Sequence, residues 1–207
     1  MKKSFKNIKT STGGASYKIN DLTSKKIDCP NTYLNALKNP CKLSKEYADV
    51  EEYNYFLEFL DEVKFSDDYG WKTLNLQEQK VISGLEEYKI PAYLGYRKSF
   101  GRGISRENYR KKPIFALLEV SSICNVRCPF CYQSDPTFRT KEFMGIIDTN
   151  LAFKIIDEID EMHVRGLTIA SRGEPLLCED LDKILKHIQT KNNILELKIN
   201  TNAKRLT

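Results

Sequence analysis

Histidine is scarce in this chain: it holds only His163 and His187. Each falls in its own predicted helix with no ligand-type partner near it in sequence. Both therefore read as surface or capping residues rather than metal ligands. That removes the His pair that a structural zinc site would need as its second ligand pair, and no second C-x2-C replaces it. Long apolar runs are missing too. None approaches the roughly 20 residues that cross a bilayer, and residues 1–20 are basic without the apolar middle of a secretory signal. The expectation is a cytoplasmic chain with no membrane partner. An excess of one charge is likewise absent: 33 Lys and Arg against 28 Asp and Glu leave +5. Scattered as it is, that charge argues against a nucleic-acid partner. With 41% hydrophobic and 29% charged residues, the composition is that of a globular protein rather than a disordered one.

What the chain does have is a knot of cysteine. Three of its six cysteines lie within Cys124-Asn125-Val126-Arg127-Cys128-Pro129-Phe130-Cys131, spaced C-x3-C-x2-C. In a reducing compartment such a knot reads as metal-binding before it reads as disulfide. Thiolates are soft ligands that favour zinc or an iron–sulfur cluster. A fourth ligand is not obvious, and a metal centre with an unfilled position is usually a place for chemistry. Cys178 is the one remote candidate for that position; Cys29 and Cys41 read as plain thiols. If a protein ligand fills it, the cluster is structural, sensory or an electron carrier.

Residues 1–43 read as a flexible or irregular leader, with a pair of glycines at Gly13-Gly14 and one short helix around Tyr33 to Leu37. Residues 44–112 read as a mainly helical region. Ser44 caps a helix to about residue 63, with Tyr47, Val50, Tyr53, Leu57, Leu60 and Val63 along one face. Asp67-Asp68-Tyr69-Gly70 is a turn. Asn75 and Glu78 form a capping box for a second helix, which Pro91 ends. Residues 95–112 hold three glycines and seven basic residues, read as a solvated linker with an anion-binding loop as the alternative.

After Pro113 the pattern changes. Residues 114–120 are a nearly continuous apolar run, broken by Glu119, and suit a buried parallel strand. The cysteines follow. Asp148 or Thr149 caps a helix to about Met162, residues 167–170 make a second strand, Asp180 caps a helix through Ile188, and residues 194–200 make a third strand. Strand, helix, strand, helix, strand is a run of right-handed βαβ units on a parallel sheet. Such sheets place their chemistry at the carboxyl ends of the strands. Three informative loops fall there: the cysteines, then Arg172-Gly173-Glu174-Pro175, then Thr201-Asn202-Ala203.

These residues carry a resemblance. Cys124-x3-Cys128-x-Phe130-Cys131 resembles the signature of the radical S-adenosylmethionine (radical SAM) superfamily. Gly173-Glu174-Pro175 resembles its second motif, and Thr201-Asn202 the pair often found after its third strand. Leu118-Glu119-Val120 and Gly173-Glu174-Pro175-Leu176-Leu177 look most like the branch that often carries a C-terminal SPASM-type domain. The resemblance covers residues 113–207. It implies an α/β fold: the first three βα units of a partial (β/α)6 barrel, behind the helical N-terminal region. It implies that Cys124, Cys128 and Cys131 hold three irons of a [4Fe-4S] cluster whose fourth iron is chelated by S-adenosylmethionine. The reduced cluster then cleaves that cofactor to a 5′-deoxyadenosyl radical, which abstracts hydrogen from a substrate the sequence does not identify. Phe130, Gly173, Glu174, Pro175 and Asn202 would bind the cofactor: Phe130 near the adenine, Gly173 and Glu174 at the methionine ammonium, with Pro175 stiffening the strand's exit. A one-electron reductant of flavodoxin or ferredoxin type is implied as partner.

Three βα units against the superfamily's six give one more expectation. The chain reads as the front part of a radical enzyme, inactive alone, whose missing C-terminal half or partner subunit completes the barrel. The alternative is a cluster-binding regulatory or electron-transfer module that does not cleave S-adenosylmethionine.

Overall fold

The computed structural model describes residues 27–100 and 112–205. The glycine pair of the leader and the stretch 101–111 lie outside the described residues. The helical unit begins at α1 (Asn31–Lys38), inside the stretch read as leader. Tyr33, Ala36 and Leu37 of α1 are fully buried, and the Tyr33 hydroxyl donates to the Tyr69 carbonyl at 2.6 Å. The helix read over residues 44–63 is two helices, α2 (Lys42–Tyr47) and α3 (Val50–Val63). Ser44 is not the cap. It is buried inside α2, whereas Asp49 accepts from the Glu52 N–H at 2.7 Å and Glu52 reaches back to the Asp49 N–H, a complete capping box. The new start also turns the face. Phe56 is fully buried, while Val50 and Leu57 are exposed.

The turn at Tyr69 and Gly70 takes left-handed dihedrals, and Asn75 and Glu78 cap α4 (Leu76–Gly84) as read. Pro91 does not end that helix. It sits in the first turn of α5 (Ile90–Phe100), where its missing N–H costs nothing. Helix α5 takes up the first part of the expected linker. Gly95 packs so closely on α3 that a Cβ there would stand 2.0 Å from the Glu52 carbonyl oxygen. Arg97 pairs with Glu78 and Glu196, Lys98 with Glu62, and Lys112 with Asp49 and Glu52. These basic residues answer carboxylates of the fold rather than an external anion.

The second unit is α/β. Strands β1 (Phe115–Leu118), β2 (Gly166–Ile169) and β3 (Glu196–Ile199) form a parallel sheet in the order β1-β2-β3, connected through α6 (Thr149–Glu161) and α7 (Leu181–Gln189). Asp148 caps α6, accepting from the Leu151 N–H at 2.9 Å. Leu118, Leu167 and Ile169 pack with Ala152, Ile156, Ile184 and Ile188 into one apolar core. Helices cover this one face. On the other, Phe115 and Leu117 are exposed, so β1 is not the doubly buried strand that its apolar run suggests.

The helical unit meets the amino-terminal end of the sheet. Tyr96 of α5 lies against Gly166, where a Cβ would stand 2.3 Å from the tyrosine oxygen. That leaves the carboxyl ends of the strands free. No helix among the described residues is long and apolar enough to cross a membrane.

Candidate functional site

The cysteine loop is an excursion pinned at its base. Beyond β1, Ser121 bridges to Ile146 in antiparallel fashion; the Ser122 N–H donates to the Gly145 carbonyl at 2.9 Å, and the Ile147 N–H to the Val120 carbonyl at 3.1 Å. Within the loop the Cys131 N–H donates to the Cys128 carbonyl at 3.0 Å, and Arg127 donates to the carbonyls of Cys124 and Val126. Cys124, Cys128 and Cys131 are free thiols, each partly exposed.

The loop after β2 is laid directly against it. A Cβ on Gly173 would stand 2.2 Å from the Ser121 oxygen and 2.6 Å from the Ile123 oxygen. Only glycine fits this approach, and it is an approach to the cysteine loop's own backbone. The Glu174 N–H then donates to the Ile123 carbonyl at 2.8 Å. Pro175 is buried and starts a single 3-10 turn, Pro175–Leu177.

Glu174 is 2% exposed, so its carboxylate must find donors inside the protein. It accepts from the Leu176 N–H at 3.0 Å, the Asn202 N–H at 2.7 Å and the Thr201 hydroxyl. It thereby ties the loop after β3 to the loop after β2. Asn202 completes the junction. Its side-chain amide donates to Asn125 Oδ1 at 2.9 Å and stands 3.8 Å from Cys124 Sγ. Three loops from three strand ends thus meet within hydrogen-bond distance, as the order of elements along the chain implies. Phe130 is 92% exposed at the rim.

Two further connections escape the sequence. Gln133, 3% exposed, donates one amide to the carbonyls of Ser122 and Arg172, each at 2.7 Å, stapling the first loop to the second. No single-sequence signal marks it. Glu119 pairs with Arg172, at 2.6 Å from Nη2. Partial burial pushes the Glu119 carboxyl up, but the Arg172 side-chain and backbone hydrogen bonds win and hold it below its usual value. A lone charge in an apolar run calls for such a partner, and that was the available clue.

The donor set fits an iron–sulfur cluster. Three partly exposed cysteine sulfurs, soft ligands, stand on one pinned loop at the open end of the sheet. Among the described residues, no three His, Cys, Asp or Glu side chains close on a single ion. A four-iron cluster makes a different demand, because each thiolate takes a separate corner. Cys178 is not placed to supply the remaining corner. It is 4% exposed in the core with Leu181, Ile184 and Leu118, and burial raises its thiol pKa, against metal-ligating thiolate.

Known proteins are similar to the second half of the chain. Residues 118–207 match the family model of the radical SAM superfamily. A GTP 3′,8-cyclase of Clostridium botulinum is 26% identical over 97 residues, 47% of this chain and 30% of that protein. A GTP 3′,8-cyclase of Sulfurimonas denitrificans is 33% identical over 98 residues, again 47% and 30%. This chain therefore spans under a third of the length of these relatives. The crystal structure of BtrN in complex with AdoMet and 2-DOIA is 26% identical, covering 48% of this chain and 39% of that one with a TM-score of 0.38. Over residues 118–207 the chain is thus similar to the radical SAM superfamily.

Proposed function

We propose that Cys124, Cys128 and Cys131 hold a [4Fe-4S] cluster and that S-adenosylmethionine completes its fourth corner, making this chain the cluster-bearing part of a radical enzyme. The single observation that carries the reading is the junction at the carboxyl ends of β1, β2 and β3, where Glu174 and Asn202 bring the second and third loops onto the cysteine loop. When bound and given one electron by a reductant, the two groups would supply reductive cleavage of the sulfonium, releasing methionine and a 5′-deoxyadenosyl radical able to take hydrogen from a substrate.

The chain's own residues bind and orient. Phe130 stands free at the rim to meet an adenine face. The backbone around Gly173 offers carbonyl oxygen to an ammonium group. Glu174 acts indirectly, because its oxygens are already taken by Leu176, Thr201 and Asn202. Pro175, buried, keeps that turn stiff. Leu117, exposed on the sheet face opposite the helices, supports reading the three units as part of a (β/α)6 barrel, whose inner wall it would line. Leu118-Glu119-Val120 and Gly173 to Leu177 support the branch with a C-terminal SPASM-type domain. A cytoplasmic location and a flavodoxin- or ferredoxin-type reductant suit thiols that must stay reduced.

Anaerobic reconstitution with iron and sulfide tests the reading. The expected result is about four irons per chain, abolished by replacing any of the three cysteines with Ser, and an electron paramagnetic resonance signal that S-adenosylmethionine perturbs. Formation of 5′-deoxyadenosine under a strong reductant reports cleavage. One tightly bound zinc and no iron would overturn it.

A further inference from the structure

Asn202 stands in an unusual position for an exposed amide. Its orientation is fixed from both ends. Its Oδ1 accepts the Lys204 N–H at 3.0 Å, so its Nδ2 must face the cysteine loop. There Nδ2 donates to Asn125 Oδ1 at 2.9 Å and lies 3.8 Å from Cys124 Sγ, within reach of a sulfur acceptor. The backbone holds it as firmly. The Asn202 N–H donates to buried Glu174 at 2.7 Å, and the next residue, Ala203, adopts left-handed dihedrals with φ 59° while its N–H donates to Thr201 Oγ1. A non-glycine residue is disfavoured in that region. The turn is therefore maintained by its contacts rather than by backbone preference.

We propose that Asn202 is a positioning residue that donates its amide to the Cys124 sulfur and, held there by Glu174, raises the reduction potential of the cluster that Cys124 ligates. This rests on the cluster-binding reading above. On reduction the cluster accepts one electron from the reductant, and no bond in the protein is made or broken. The added negative charge spreads onto the ligating sulfurs. A donor aimed at one of them stabilises the reduced form more than the oxidised form. The arrangement gives the loop after β3 a task of its own, since Asn202 reaches Cys124 only when Glu174 has fixed its backbone.

The test is a redox titration of the anaerobically reconstituted chain, followed by electron paramagnetic resonance without S-adenosylmethionine. Asn202→Ala removes the donor. Asn202→Asp keeps the shape and the acceptor for Lys204 but sets an oxygen toward the sulfur. Both should keep full iron and sulfide content. At a fixed applied potential, the ratio of reduced to oxidised cluster should fall about tenfold, which is about 59 mV for one electron. Glu174→Gln should shift the potential the same way, and combining it with Asn202→Ala should add little further, as expected for residues acting through one contact. If the wild-type chain builds a cluster and the Asn202 variants titrate with it, this inference alone fails. Loss of cluster from both Asn202 variants would make Asn202 a holder rather than a tuner and would also overturn it. If the wild-type chain builds no cluster, the reading beneath it fails as well.

Discussion

The Arg165 guanidinium, 1% exposed at the foot of β2, lies 2.9 Å from Glu52 of α3 and joins the helical unit to the sheet. Every side of Arg165 is engaged. Its Nε and Nη2 donate to Glu52, Nη2 also to the Tyr47 carbonyl, and Nη1 to Asn193 Oδ1, while its face lies 4.6 Å from the Tyr47 ring. Removing one partner strands the other charge without water. Glu52→Ala should therefore cost about 3–5 kcal/mol in chemical denaturation, whereas Glu52→Leu with Arg165→Met together should cost clearly less. Equal losses from the single and double variants would show that packing, and not charge, holds this joint.

Gly173→Ala should injure the cysteine loop before it injures the fold. The added Cβ meets two backbone carbonyls, of Ser121 and Ile123, and neither belongs to a flexible side chain. Relief requires the two loops to part, at a cost of about 1–3 kcal/mol. The expected signature is reduced iron uptake on reconstitution with near-native circular dichroism. Full iron content in the variant would show that the loops can separate without disturbing the thiols.

The site was more legible than the frame around it, for physical reasons. Thiol spacing and loop order along a parallel sheet need no tertiary information, so Cys124, Glu174 and Asn202 could be placed at one end of the sheet from the chain alone. The Asn75 and Asp148 caps were equally local. Asp49 was missed because the tyrosines and leucines running through residues 47–60 suggest one unbroken face, and a capping box in the middle outweighs that periodicity. Pro91 misled because proline is as good in a first turn as it is bad in a helix interior. The pairings of Arg165 with Glu52 and of Gln133 with two carbonyls link residues far apart in sequence, and nothing local announces them.

Acid should weaken the protein in two separate windows. Burial, with Arg165 and Lys112 nearby, lowers the His163 pKa from 6.5, so the unfolded chain binds its proton first. Stability from this group is full above pH 6.5 and falls as the pH drops below it. Asp49 is pushed up by burial but held below 3.8 on balance by the Glu52 N–H and by Lys112. Its contribution is present above that value and lost as the pH falls further through the lowered pKa. His163→Asn, which tolerates the left-handed φ of 56° at this position, should flatten the first window and leave the second. Denaturation midpoints measured from pH 8 to pH 3 check both.

Cys178 separates the open-corner reading from a cluster ligated wholly by protein. Its thiol is packed among Leu118, Leu181 and Ile184, and burial raises its pKa, so it behaves as a small apolar side chain. Cys178→Ser places a hydroxyl in that core and should cost about 1–3 kcal/mol of stability. Cys178→Ala avoids the polar group and should cost less. Neither should lower the iron bound per folded chain or change the resonance signal of the reduced cluster, because the fourth corner does not depend on this sulfur. A folded Cys178→Ala protein that bound no iron would return Cys178 to the ligand set. It would also remove the vacant corner where S-adenosylmethionine is proposed to bind.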